Sequence, residues 1–260
     1  MLVGCNKGVI LLKDDYNFIY KIADIIYNEY DNEDFEYIFY PNYSVIDLLD
    51  SKYFQGIPGL DLSLRKKEYI RKNVTPVFIS ERSPSKNRED LQDLLKECNM
   101  NYYNRLEWLK RTKTQYFGDR LYVRERQMED ECLTLIIDSM FNLVNRFDSL
   151  NRALLLKICR GESIRSKELE LNDSNRKEFY DFLMPIYIKE YNAKKEKILK
   201  GVEKAKENNV YKGRKEIEID EIYLKEIIDK FKKKELTSEE AAQKLNISKS
   251  TFFRRLKLKY

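Results

Sequence analysis

The residues best suited to chemistry lie in the last twelve positions of the chain. Residues 249–260 contain five lysine or arginine residues and no acidic residue. Such side chains bind phosphate oxygens, and arginine, serine and threonine also hydrogen-bond to base edges. A helix over these positions would direct several polar and basic side chains outward, namely Ser250, Thr251, Arg254, Arg255 and Lys257. The pattern predicts contact with a polyanion.

Three short helices are predicted to hold these side chains in place. Asp220 can cap the first helix, whose apolar residues recur at helical spacing. Thr237 and Glu240 have the spacing of a capping box at the start of the second helix. Asn246 suits a left-handed turn, and Ser248 can cap the third helix. This is the helix-turn-helix pattern, whose last helix enters the DNA major groove.

Charge is distributed unevenly along the chain. The net charge is +5, but residues 176–260 hold 23 Lys+Arg against 15 Asp+Glu, a net of +8. The first 175 residues hold 26 basic and 29 acidic residues, a net of −3. A basic C-terminal part on a near-neutral body is typical of a nucleic-acid-binding protein. A solvated lysine surface is the simpler alternative.

The last third of the chain resembles the DNA-binding end of the serine recombinases, the family of resolvases and DNA invertases. The similar stretches are residues 210–215 (VYKGRK) and 245–254 (LNISKSTFFR). Residues 198–209 also resemble the end of that family's long dimerisation helix. The resemblance covers about residues 182–257. It implies a homodimer on double-stranded DNA with two half-sites.

An arm before the three helices would enter the minor groove, according to this resemblance. The arm consists of residues 212–215 and includes Lys212, Gly213 and Arg214. A narrow, A·T-rich minor groove attracts arginine. We therefore expect the arm to favour A·T-rich flanks.

The resemblance also implies roles for side chains of the last helix. Ser250 and Arg254 match the family's main base-contacting positions. Arginine can bond guanine bidentately, whereas serine is a less selective partner. Lys249 and Thr251 would contact phosphates, which position a protein without reading the sequence. The other predicted members of this interface are Ser248, Arg255 and Lys257.

Serine recombinases cut DNA with a serine nucleophile and a cluster of arginines that stabilises the transition state. The chain has no histidine, which excludes imidazole catalysis but leaves this chemistry open. A displaced version of the site would consist of Ser83, Arg82 and Arg152. Glu81 and Ser149 stand where the family has arginines, and a carboxylate would repel the scissile phosphate. A degenerate or unrelated N-terminal part is the alternative.

Two further sets of polar residues are candidate sites. The loop 81–88 (ERSPSKNR) could hold a phosphate, or it could be a solvated loop in which Asn87 caps the next helix. The acidic pairs at 14–15 and 33–34 have no partner ligands at the spacing of a metal site. The sequence therefore predicts no metal and no cofactor.

The predicted fold class is α+β and rich in helices. Residues 1–124 form a small α/β body of unknown role, residues 125–209 are helical, and residues 210–260 form the basic arm and the helix-turn-helix domain. A long helix over 176–208 would mediate dimerisation, with Pro185 kinking or restarting it. The predicted elements of the body are strands at 8–12, 36–40, 74–79 and 120–123, a turn at 56–59, and helices at 19–30 and 88–98.

The composition predicts a cytoplasmic, nucleoid-associated protein. The four cysteines are far apart and form no C-x-x-C pair, which is typical of free thiols in a reducing compartment. The longest purely apolar run, 182–188, has seven residues, whereas a membrane span needs roughly 20. The first residues lack the basic-then-apolar layout of a signal peptide.

These observations predict a sequence-specific DNA-binding protein. We expect a regulator or accessory factor of a bacterial mobile element, plasmid or phage. Two alternatives remain open at this point. One is an active or degenerate serine site-specific recombinase, and the other is a module that docks on protein or RNA.

Overall fold

The helix-rich α+β class is confirmed by the structure, a computed structural model. It describes residues 1–116, 118–131, 134–144, 150–208, 219–233 and 235–259. The chain divides into two compact units, Met1–Lys195 and Glu196–Tyr260. The first unit therefore includes the predicted body together with most of the segment that follows it.

Two sheets lie in the first unit. The strands of the larger sheet are antiparallel and comprise β1 (Leu2–Lys13), β2 (Ile19–Tyr30), β3 (Phe35–Pro41), β4 (Tyr69–Lys72) and β5 (Leu121–Glu125). Their spatial order is β4-β3-β2-β1-β5, so β2 is the central strand and lies between β3 and β1. The smaller sheet contains β6 (Thr134–Ile136), β7 (Ser163–Arg165) and β8 (Glu170–Leu171). In it β6 pairs with β7 in parallel, and β8 pairs with β7 antiparallel.

Helices surround the sheets and make up the C-terminal part of the chain. Those of the first unit are α1 (Tyr43–Ile46), α2 (Val77–Ser80), α3 (Leu91–Glu97), α4 (Arg105–Thr112), α5 (Leu150–Arg160) and most of α6 (Arg176–Glu207). Three more follow, namely α7 (Glu221–Lys232), α8 (Ser238–Lys244) and α9 (Lys249–Lys259). Short 3-10 turns occupy Leu62–Leu64, Met128–Asp130 and Met140–Leu143. Over the described residues, no helix has the length and apolarity to cross a membrane.

The core of the first unit lies against the hairpin of β1 and β2. Ile10, Leu12, Phe18, Ile22 and Ile25 are fully buried. Burying one such side chain contributes about 1.5–3 kcal/mol. Helix α4 packs on β1, and α5 packs on β2.

The first half of α6 attaches to the hairpin of β1 and β2 through aromatic side chains. Phe18 meets Tyr187 edge to face, with ring centroids 4.8 Å apart. The hydroxyls of Tyr20 and Tyr180 lie 2.9 Å apart. Aromatic pairs in such geometries add about 0.5–1.5 kcal/mol beyond the burial of their area. The long helix predicted over 176–208 is confirmed, and it continues through Pro185.

A buried arginine fixes the point where α6 begins. Arg176 is fully buried and donates to the carbonyls of Glu162 at 2.8 Å and Gly161 at 3.1 Å. It also pairs with Asp173 at 3.0 Å. A charge is tolerated in a protein interior only when such partners satisfy it. The end of α5 and the start of α6 are therefore held together by one side chain.

The helix predicted over 19–30 is wrong, because this segment is strand β2. It pairs with β1, for example Leu12 with Tyr20 and Gly8 with Ile25. Residues 20–23 of β2 are buried on both faces of the sheet, with Lys21 and Ile22 on opposite faces. A strand buried on both faces shows no apolar–polar alternation, and the isoleucines of this one recur at a spacing that also fits a helix.

Two more predictions are wrong. The strand predicted over 74–79 is replaced by α2, which begins after Pro76 in extended conformation with φ −60° and ψ 148°. Proline supports a helix start, because its fixed φ suits the first turn. The continuous helical region from 125 is interrupted by β6, β7 and β8. Ile136, which lies within that predicted helical region, is 74% exposed on β6.

Other local predictions are confirmed. The strands predicted at 8–12, 36–40 and 120–123 lie within or overlap β1, β3 and β5. The helix predicted at 88–98 is α3, in shorter form. Residues 56–59 form neither helix nor strand, and Gly56 and Gly59 have positive φ angles of 112° and 82°. Glycine marks such a turn in the sequence, because few other residues adopt positive φ angles.

Gly161→Ala should destabilise the first unit by about 1–3 kcal/mol. Gly161 has φ +74°, and an added Cβ would lie 2.7 Å from Asn42 Nδ2. The side chain would thus add both backbone strain and a clash beside the carbonyl that Arg176 binds. Urea unfolding followed by the fluorescence of Trp108, the single tryptophan of the chain, measures the change.

Gly201→Ala is the matched control. Gly201 lies inside α6 with nothing within 4 Å of an added Cβ, and it belongs to the second unit. It should leave the Trp108 transition at its wild-type midpoint. An equal loss in both variants, or none in Gly161→Ala, would contradict the role given to Gly161.

Candidate nucleic-acid interface

Helix α7 begins and packs as its sequence predicts. Asp220 Oδ1 accepts a hydrogen bond from the Ile222 amide at 2.9 Å, which caps the helix. Leu224, Ile227 and Ile228 are buried on one face. The cap fixes where α7 starts, and the apolar face packs α7 against α8.

The predicted capping box of α8 is confirmed. The Thr237 amide and hydroxyl both donate to Glu240 Oε2 at 2.8 Å. The Glu240 amide in turn donates to Thr237 Oγ1 at 3.3 Å. The hydrogen bonds from the Thr237 backbone and side chain lower the pKa of Glu240 below its ordinary value of 4.5. Glu240 therefore stays ionised and holds the first turn of α8 in place.

A left-handed residue joins α8 to α9, as predicted. Asn246 has φ +52°, which asparagine tolerates better than most residues. The Ile247 amide donates to the Ala242 carbonyl at 3.0 Å and closes the turn. Ala241 and Ala242 are buried, because small side chains are needed where helices approach closely. The turn thereby sets the direction in which α9 leaves α8.

Helix α9 has one buried side and one exposed side. Phe252 is fully buried and contacts Phe231 of α7 edge to face at 5.3 Å. Ser248 caps the helix, since its Oγ accepts from the Thr251 amide at 3.3 Å. Ser250 and Arg254 are both exposed and lie one turn apart, so they share the outward face.

The basic side chains of α9 differ in how they are engaged. Arg254 is exposed and has no hydrogen bond or ion pair with any residue that the structure describes. Lys249 pairs with Glu239 of α8, and this contact lowers the pKa of that carboxyl below its ordinary range. Arg255 and Thr251 are half-buried. Arg254 is thus the guanidinium of α9 best placed to meet a ligand.

Part of the predicted interface falls outside the described residues. This applies to Lys212, Gly213 and Arg214 of the predicted arm. Lys257 lies within α9, but its side chain is outside what the structure describes.

The predicted catalytic arginine Arg82 is buried and already engaged. Its Nη1 donates to the Phe78 carbonyl at 2.9 Å, and its Nη2 pairs with Asp119. The guanidinium also lies over the Phe78 ring, 4.3 Å from the centroid. An arginine that stabilises a phosphoryl transition state must direct its N–H groups at the substrate. These contacts favour a structural role for Arg82.

The other two predicted catalytic residues have separate partners. Ser83 Oγ donates to the Ile79 carbonyl at 2.7 Å and accepts from Arg105 Nη1 at 2.9 Å. Arg152 Nη1 donates to the Tyr187 hydroxyl at 2.6 Å, and its guanidinium faces the Phe18 ring at 5.6 Å. The described contacts of Arg152 are therefore made with the hairpin and α6, and none of them joins it to Ser83.

Arg105 was missed by sequence reasoning although it reaches Ser83 across 22 positions of the chain. No local pattern marks it, because the contact depends on how α4 packs. The loop around Ser83 also differs from its prediction, since Asp90 and not Asn87 occupies the N-cap of α3. Among the described residues, no group of three acidic or cysteine side chains is arranged to hold a metal ion. The comparison with protein-family models gave no match, and neither did the comparison with curated proteins.

The carboxyls of Glu239 and Glu240 should titrate below 4.5, each for its own reason. The Lys249 ammonium lowers the pKa of Glu239 through a hydrogen bond, and the Thr237 amide and hydroxyl lower the pKa of Glu240 in the same way. Because both pKa values are lowered by folding, the stabilisation is present above about pH 4.5 and is lost as the pH falls through the folded values. Carbon-13 NMR of the side-chain carboxyls measures both titrations.

Two substitutions separate the causes. Lys249→Met should return the pKa of Glu239 toward 4.5 with little change at Glu240. Thr237→Ala should do the reverse, although the Thr237 amide keeps part of the effect on Glu240. A common shift of both carboxyls in either variant would show that the two contacts are not the cause.

Proposed function

We propose that the chain is a sequence-specific DNA-binding protein that places α9 in the major groove. One observation carries the proposal: α9 presents Ser250 and Arg254 side by side on its exposed face, and Arg254 has no partner in the described part of the chain. An exposed arginine at this position can donate two hydrogen bonds to guanine. The serine one turn earlier supplies a second, less selective contact.

The surroundings of these two residues support the same use. Lys249 and Thr251 lie in the first turn of α9, where the helix amides and the positive end of the dipole favour phosphate. Lys249 exchanges its contact with Glu239 for a phosphate oxygen when DNA is bound. The basic composition of residues 176–260, with a net charge of +8, attracts the duplex at long range.

We further propose that the second half of α6 joins two copies of the chain. Ile198, Leu199 and Val202 are 67%, 52% and 37% exposed and lie within two turns of one another. Exposed apolar side chains grouped on one helix are typical of a face that pairs with another helix. A homodimer would read two half-sites related by two-fold symmetry.

The observations give less support to the two alternatives. Recombination needs an available serine and free arginines, whereas Ser83 and Arg82 are engaged in contacts within the first unit. A module that docks on protein or RNA would not need the pairing of Ser250 and Arg254 on one helix face. Such a module would also bind duplex DNA without regard to sequence.

Arg254→Ala should relax sequence discrimination at one base pair by about 1–3 kcal/mol. Lys249→Ala should instead weaken binding to all duplexes nearly equally and lower the salt dependence by about one ion. Binding-site selection with the intact protein, followed by affinity measurements over a range of salt concentrations, distinguishes the two effects.

Arg165→Ala is the control for loss of one positive charge. Arg165 is exposed on β7 and pairs with Glu170 at 3.5 Å, far from α9 in the sequence. Its removal should leave the selected site unchanged. The proposed reading of DNA by α9 would be refuted if wild type and Arg254→Ala selected the same site. It would also be refuted if the wild type selected no site.

The double variant Ile198→Glu/Leu199→Glu should dissociate the dimer, because two carboxylates would face the partner helix. Sedimentation velocity should show the wild type as a dimer and the variant as a monomer. Lys197→Glu changes the net charge by the same two units on the same turn, and it should remain dimeric. A monomeric wild type at micromolar concentration would exclude this use of α6.

A further inference from the structure

A cavity of about 540 Å³ opens where β2 and β3 approach their connecting turn. Tyr27, Phe35 and Tyr37 form its floor, and we call the cavity the tyrosine pocket. Tyr27 and Tyr37 are paired across the strands with ring centroids 4.9 Å apart. Phe35 lies 6.1 Å from each of them. Both the size and the aromatic floor are typical of sites for small organic ligands.

The hydroxyl of Tyr37 is a polar group in the lining of this pocket. The residue is 3% exposed and lines the pocket. Its hydroxyl makes no hydrogen bond with any residue in the described part of the chain. Burial raises the pKa of Tyr37, and Arg105 only partly opposes that shift, so the hydroxyl keeps its proton. Because its oxygen reaches the pocket, this hydroxyl can donate a hydrogen bond to a ligand there.

Two positive side chains line one wall of the tyrosine pocket. Arg105 is half-buried, contacts Ser83 Oγ through Nη1 and lies over the Tyr103 ring at 5.6 Å. Lys86 is exposed in the preceding loop. Neither has a carboxylate within ion-pair distance among the described residues. A guanidinium and an ammonium with uncompensated charge form a site for a phosphate group.

Acidic side chains lie toward the turn. Glu29 lies two residues after Tyr27 on β2 and is paired with Phe35, and Asp31 and Glu33 belong to the turn itself. Burial first and then the charge of Glu29 raise the pKa of Tyr27. Carboxylates repel a phosphate but accept hydrogen bonds from hydroxyl and amino groups. The pocket thus suits a flat ring with an anionic end and an end rich in donors.

We propose that the tyrosine pocket binds a nucleoside 5′-phosphate. The base stacks on the partly exposed rings of Tyr27 and Phe35, as bases do on the aromatic side chains of single-strand-binding proteins. The phosphate meets Arg105 and Lys86, and the Tyr37 hydroxyl donates to the ligand. Sugar hydroxyls or amino groups of the base donate to Glu29. The same chemical unit occurs as a free nucleotide and within a single strand, so both sources are tested.

Titration calorimetry of the full chain with adenosine 5′-monophosphate tests this site. Adenosine and inorganic phosphate should each bind at least tenfold more weakly than the nucleotide, because each lacks one half of the contacts. Tyr37→Phe removes only the hydroxyl and should weaken binding about three- to tenfold. Arg105→Gln should weaken it at least tenfold.

Matched controls are available on the same chain. Tyr122→Phe removes a half-buried tyrosine hydroxyl on β5, and Arg165→Gln removes an exposed arginine charge on β7. Both should bind the nucleotide with wild-type affinity. Lys86→Gln, at an exposed loop position, replaces Arg105→Gln as the test of charge if the latter variant melts early in circular dichroism.

A single-stranded adenine hexanucleotide distinguishes a free nucleotide from a nucleotide within a strand. The measurement uses the Arg254→Ala variant, because this substitution removes the proposed base contact of α9. Tighter binding of the hexanucleotide than of the nucleotide, lost in Tyr37→Phe, would assign the pocket to a strand. Weaker binding would assign it to the free nucleotide. No heat with either ligand at millimolar concentration, or wild-type affinity in both Tyr37→Phe and the charge variant, would overturn the proposal.

Discussion

The buried guanidinium of Arg176 is the constraint on which the first unit depends. A positive charge in a protein interior is unfavourable unless nearby oxygens accept hydrogen bonds from it. The Gly161 and Glu162 carbonyls and the Asp173 carboxylate supply those oxygens at the junction where α5 ends and α6 starts. From this start, α6 brings Tyr180 and Tyr187 into contact with the hairpin of β1 and β2. Arg176 thus links backbone carbonyls at the end of α5 to the start of the helix that packs on the hairpin.

The two proposed binding surfaces, α9 and the tyrosine pocket, both use arginine but differ in how exposed it is. On α9 an exposed arginine on a rigid helix can enter a groove, and its outward direction follows from Asn246 and the buried Phe252. In the tyrosine pocket, Arg105 is half-buried beside a wall of rings, which suits a small ligand that leaves bulk water. The surfaces share no residue, so each proposal can fail without the other.

Features encoded over short stretches were predictable from the sequence. The Asp220 cap, the box of Thr237 and Glu240 and the left-handed Asn246 depend on neighbours within four positions, and all three are found. Strand β2 was not predictable, because burial on both faces removes the alternation that identifies strands. Arg105 and the floor of the tyrosine pocket were missed for a related reason. Tyr37 and Arg105 are 68 positions apart, and only the packing of α4 beside the sheet brings them together.

Helix α6 belongs to both units, since their boundary falls between Lys195 and Glu196. Its first half is held by Arg176 and by tyrosine contacts in the core, whereas Ile198 and Leu199 in its second half are largely exposed. Hydrogen bonds in a helix break most easily where few side-chain contacts protect them. The helix can therefore fray from Glu207 back toward the boundary while its anchored half stays folded. A second copy that covered Ile198 and Leu199, as in the proposed dimer, would keep more of α6 folded. Dimerisation would then change the length of this helix.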